Sequence, residues 1–158
     1  MLYATLKTLH VLSIIVWIGG MVFAHFFLRP AVAQLEPPLR LRLMHDILGR
    51  FFKAVLVASL LALASGIAML GRVVIPGAHS ADHVAMPFAW TLMSILGIAM
   101  VAIFMLIRFV FFKRLGRAVI ASNWADGGAA LGQIRKWVLI NLAIGILVLV
   151  VTLMRATL

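Results

Sequence analysis

Lys7-Thr-Leu-His10-Val-Leu-Ser-Ile-Ile-Val-Trp17-Ile-Gly19-Gly20 lies in the first apolar run of the chain, and how it is read decides the fold. An imidazole, an indole and a glycine pair stand in a segment otherwise suited to lipid. On a helix, Lys7, His10, Trp17 and Ala24 fall near one stripe, with Gly20 beside it. The run continues without another charged side chain to Arg29, long enough at about 1.5 Å per residue to cross a bilayer with some tilt. An ionisable ring inside such a span marks a candidate functional site.

Composition extends this reading to the whole chain. Of 158 residues 65% are hydrophobic and 11% charged, against roughly half and a quarter in a soluble domain. The surplus is surface for hydrocarbon, so an integral membrane protein is expected. The formal net charge of +10 reflects basic residues at the ends of apolar runs. They anchor the chain to anionic lipid and set its orientation. No basic stripe with interleaved aromatics points to nucleic acid. With no cysteine, disulfides, thiolate metal sites, iron–sulfur clusters and cysteine nucleophiles are excluded. No Ser-His-Asp set, carboxylate pair or phosphate-binding loop is present. Ala31-Val-Ala33 looks like a signal-peptidase site, but the preceding run carries His25 and is too long, so an uncleaved signal-anchor span is expected.

Four spans are predicted, at about 3–28, 51–71, 88–112 and 134–155, forming one transmembrane domain. Arg29-Pro30 is expected to end the first. A polar segment follows, its second half a short interfacial helix leading into the second span. Asn123-Trp-Ala-Asp126-Gly-Gly reads as a turn with Asp126 capping the last helix. Short loops make the expected fold class all-α, an integral membrane four-helix bundle running up-down-up-down. The loops after the first and third spans carry the basic residues and the middle loop only Arg72, so the first and third are expected to be cytoplasmic. Both termini then lie on the outer, periplasmic side of a bacterial-type inner membrane.

The candidate sites follow from five histidines. His10 has three readings: a ligand to haem iron or copper, a proton relay, or a neutral ring hydrogen-bonded to another helix. For haem b, His10 would be the axial ligand, Gly19 and Gly20 would leave room for the macrocycle, and Trp17 would wall it. The other three spans contain no histidine. A second ligand would come from His79, His83, Met86 or Met93, or the iron would stay five-coordinate. His79 and His83 are four apart and on a helical turn could bind copper or zinc, Met86 adding a copper-compatible ligand, or they are two histidines of a solvated loop. His25 and His45 belong to the cytoplasmic side, either as a second site or as interfacial residues. His10 and His25 are about 22 Å apart along a helix and cannot share one small site. Asn141 is expected to make an interhelical hydrogen bond. The other methionines read as packing.

The chain resembles the small membrane proteins of the copper-resistance D (CopD) superfamily. Leu9-His10, Trp17-Ile-Gly19-Gly20 and Pro30 carry the first-span pattern, and Arg50-Phe-Phe, Phe112-Lys-Arg-Leu-Gly-Arg-Ala118, Ile134-Arg135 and Asn141-Leu-Ala-Ile-Gly145 extend it. The same first span is similar to HemJ-type protoporphyrinogen oxidases, which implies haem b at His10 with Lys7, Trp17 and Gly20 beside it. This chain departs from that family at Trp90-Thr-Leu-Met93 and lacks the Glu and Pro that open its last span. The resemblance therefore implies haem binding more than protoporphyrinogen oxidation. Three functions are expected in turn: a haem-dependent oxidoreductase or electron carrier; copper binding, transport or resistance through His79 and His83; a cofactor-free accessory subunit. The expected partners are the lipid bilayer, a membrane redox protein or quinone, and further copies of the chain.

Overall fold

A computed structural model describes residues 1–78 and 88–155. The described elements are α1 (Leu2–Val22), a π-helical turn (Phe23–Leu28), α2 (Arg29–Val32), α3 (Pro37–Ala78), α4 (Phe88–Leu106), a second π-helical turn (Ile107–Phe111), α5 (Phe112–Ile120) and α6 (Trp124–Arg155). Four continuous helical stretches are long and apolar enough to cross a membrane: Leu2–Val32, Pro37–Arg72, Trp90–Ile120 and Trp124–Met154. The protein is an all-α, multi-pass membrane bundle in which successive long helices run antiparallel.

The helices run further than the apolar spans, and this corrects three expectations. Arg29-Pro30 does not end the first helix. Proline supplies no N–H to the carbonyl one turn back, and the helix widens just before it, the Arg29 N–H bonding Ala24 O five residues back. The chain then coils on to Val32. The expected interfacial helix and second span are one helix of 42 residues, α3, about 60 Å long and twice the hydrocarbon thickness. Pro37 and Pro38 open it where a missing N–H costs nothing. The last turn also differs. Ser122 takes the left-handed conformation at φ 52°, and the Asn123 N–H reaches back to Ala118 O at 2.9 Å. Asn123, not Asp126, caps α6: its Oδ1 accepts the Asp126 N–H at 3.1 Å, while its Nδ2 donates to Asp126 Oδ2 at 2.9 Å. Gly127 is helical and sits against Leu41, where a β-carbon would come within 3.0 Å of Cδ1.

The extra helix length builds a basic head beyond the apolar spans. Leu41, Met44, Leu48, Phe112, Leu115, Ala118, Ala130 and Ile134 are all buried there. The third span meets α3 mainly through α5. Within the apolar zone α1 packs along α3 on the small side chains Ala58, Ser59, Ala62 and Ser65, all buried. An aromatic layer separates the two ends. Trp17 meets Phe104 edge-on at 6.0 Å, and Phe52 meets Phe104 at 6.0 Å and Phe112 at 5.3 Å.

Candidate functional site

The buried stripe of α1 runs through Ser13, Trp17 and Met21, with His10 half-buried at its upper end and Lys7 exposed. His10 faces α3 at the Ala62 and Ser65 end of the small-residue seam. Its Nδ1 lies 2.9 Å from Ala62 O and 3.1 Å from Ser65 Oγ. The Ser65 hydroxyl has one proton, and its shortest bond, 2.6 Å, goes to Leu61 O. A carbonyl can only accept, so the Nδ1–H donates to Ala62 O and the proton resides on Nδ1. In the neutral ring that leaves the lone pair on Nε2. Gly66 completes the seat: a β-carbon there would touch His10 Cε1 at 3.4 Å.

This is the arrangement by which proteins orient a ligating histidine. One ring nitrogen is tied to a carbonyl, which fixes tautomer and rotation, and the other is presented to a metal or a proton. The ring also has the interhelical hydrogen bond that its burial requires.

The other residues expected around His10 have different neighbours. Trp17 is 5% exposed and is consumed by the aromatic layer. Gly20 lies under the Phe51 ring, so its missing side chain makes room for Phe51 and not for a macrocycle. Gly19 is the open one, an exposed residue of α1 with nothing within 4 Å of where a β-carbon would stand. No slot for a haem ring forms from these residues. Gly20→Leu is expected to drive out the Phe51 ring and destabilise the fold by about 1–3 kcal/mol. Adding Phe51→Ala should recover most of that loss in a thermal unfolding assay.

His79, His83 and Met86 lie outside the described residues, so their expected grouping stays an expectation. Among the described residues no three His, Cys, Asp or Glu side chains converge as a metal cluster. His25 and His45 have separate surroundings. His45 stacks on Phe112 at 4.9 Å and lies against Gly116. His25 packs edge-on against Phe26 and borders a cleft with Arg29 and Arg135.

Asn141 is 1% exposed, and its Oδ1 is buried with no hydrogen-bond partner among the described residues. The interhelical bond expected of it is therefore missing at that atom. An orphaned buried acceptor costs about 1–3 kcal/mol. Asn141→Leu should accordingly leave stability unchanged or raise it by up to about 1 kcal/mol. A clear fall in unfolding temperature would show that the amide has a partner.

Four long apolar helices with a basic head define a multi-pass membrane protein with an all-α bundle. Residues 45–155 match the family described as Copper resistance protein D, and the chain belongs to that family. The match begins at His45 and leaves α1, with His10, outside it. No curated protein and no solved structure matches the chain.

Proposed function

We propose that the protein handles copper within the membrane, with His10 Nε2 as the ligand inside the bundle. The observation that carries this is the hydrogen bonding of Nδ1 to Ala62 O and Ser65, which leaves Nε2 as a preoriented donor. Imidazole suits copper, as do the thioethers and histidines of the middle loop. In this reading His79, His83 and Met86 receive the ion on the outer face and His10 takes it inside. In this reading the basic head, with α5 and the first turns of α6, faces the cytoplasm, as the positive-inside rule expects. Family membership supports copper as the cargo.

Haem b at His10 has less support, because Phe51 fills the space at Gly20 and Trp17 is buried in the aromatic layer. Purified protein in detergent, loaded with copper and examined by elemental analysis and optical spectroscopy, tests the proposal. Stoichiometric copper without a Soret band is expected. A Soret band in protein from a haem-replete host, or no copper above a detergent blank, would overturn it.

A further inference from the structure

The basic head contains a cleft of about 290 Å³ that copper handling does not use. It opens between the end of the first span, the head of α3 and the first turns of α6. Arg29, Arg40 and Arg135 line it, with His25, and no carboxylate does. Its walls include Met44 and Val138.

Three features make this cleft unlike an ordinary basic surface. First, its charge is uncompensated. The ion pairs of the described residues, His45 with Asp46 and Arg114 with Asp126, lie elsewhere. Arg40 reaches Ala33 O at 3.4 Å, while Arg29 and Arg135 make no hydrogen bond or ion pair among the described residues. By contrast, Arg42 lies over the Trp124 ring and Arg108 over Phe112. Secondly, the cleft has an open floor. Gly128 and Gly132, one turn apart on α6, both line it, and nothing lies within 4 Å of where either β-carbon would stand. Thirdly, the His25 Nδ1 on its border is buried and has no hydrogen-bond partner among the described residues. Like charges brought together beside an unsatisfied ring nitrogen, over a floor with room for a bulky group, call for an anion with several acceptor oxygens.

The position and the walls identify the kind of anion. Arg29 and Arg135 stand where the charge-free stretches of the first and last spans give way to the head, at the depth of lipid headgroups. The walls are apolar, and Phe23, Phe26 and Phe27 on the adjoining part of the first span are all exposed. A free inorganic anion would use the arginines and leave those walls wet. We infer that the cleft binds the phosphate of an anionic phospholipid, with Arg29 and Arg135 on the phosphate oxygens and the acyl chains along the lipid-facing side of the first span. Basic pockets between spans on the cytoplasmic side are suited to such headgroups.

The test uses the full chain in neutral detergent, probed by native mass spectrometry and thermal shift. The probes are phosphatidylglycerol, phosphatidylcholine and inorganic phosphate. Phosphatidylglycerol is expected to stay bound and raise the unfolding temperature, and the other two to do neither. Arg29→Gln with Arg135→Gln should weaken phosphatidylglycerol by about tenfold or more, as loss of charge-assisted bonds implies. Arg117→Gln with Lys136→Gln removes the same charge from positions outside the cleft and should change binding little. If the arginine pair proves necessary for folding, Gly132→Leu fills the open floor without removing charge and should displace the lipid equally. Equal weakening by the control pair, equal binding of phosphatidylcholine, or an equal shift from inorganic phosphate would each overturn the proposal.

Discussion

His10→Ala is expected to remove the intramembrane copper and leave the fold intact. The ring's one tethered nitrogen bonds Ala62 O and Ser65 Oγ, and both keep other partners without it. Ser65 still donates to Leu61 O at 2.6 Å, and Ala62 O remains within the α3 ladder. The substitution therefore orphans no buried group, and loss of metal can be separated from loss of structure. Ser65→Ala keeps the ligand but loosens its orientation. Changes of that kind typically cost about 10–100-fold in metal affinity, and deletion of the ligand itself should cost at least as much. Equilibrium copper titration of the wild type, His10→Ala, Ser65→Ala and His25→Ala gives the ranking. His25→Ala should bind as the wild type does, since His25 stands about 22 Å further along the helix. Unchanged copper affinity in His10→Ala would end the proposed role for that residue, and the lipid cleft would be unaffected by that result.

Phe52→Ala should produce the largest loss of stability, about 3–5 kcal/mol. Phe52 is 1% exposed and meets aromatic rings from its own helix and the third span: Phe51 at 5.8 Å, Phe104 at 6.0 Å and Phe112 at 5.3 Å. Phe104 in turn meets Trp17 of the first span. Removing the Phe52 ring empties the junction between the apolar bundle and the basic head, where neither lipid nor water can refill it. Phe26→Ala is the comparison. Phe26 is 58% exposed on the lipid side, and its truncation should stay within about 0.5 kcal/mol. Reversible unfolding in mixed micelles measures both. A Phe52→Ala loss below about 1 kcal/mol would show that the layer is not a stabilising junction.

The readings of helix ends came out unevenly, for physical reasons. Arg29-Pro30 has the composition of a stop, yet one π-helical turn absorbs the missing N–H and carries the helix to Val32. Gly127-Gly128 has the composition of a turn, yet Gly127 is used for close approach to Leu41 and Gly128 for the open floor of the cleft. The turn itself falls on Ser122, whose hydroxyl chemistry gives no strong sign of a left-handed residue. In the head, the second half of the polar segment before the second span was readable as helix because water lies on the other side. Inside the apolar zone inner and outer faces have the same chemistry, so the burial of Trp17 and the exposure of Gly19 could not be told apart by polarity.

The sequence alone determined that the chain crosses a membrane four times as an all-α bundle, because length, apolarity and the need to satisfy every backbone N–H and C=O admit few other structures. It also singled out His10, since an imidazole in hydrocarbon needs a partner. The partners themselves were decided by tertiary structure. Only the packing of α1 on α3 brought Ala62, Ser65 and Gly66 to His10 and Phe51 to Gly20. Only the packing of α6 on the end of the first span set Arg29 and Arg135 in one cleft. Those contacts depend on interhelical register, and register is chosen by side-chain fit between faces of similar polarity, which leaves no period in the chain to read.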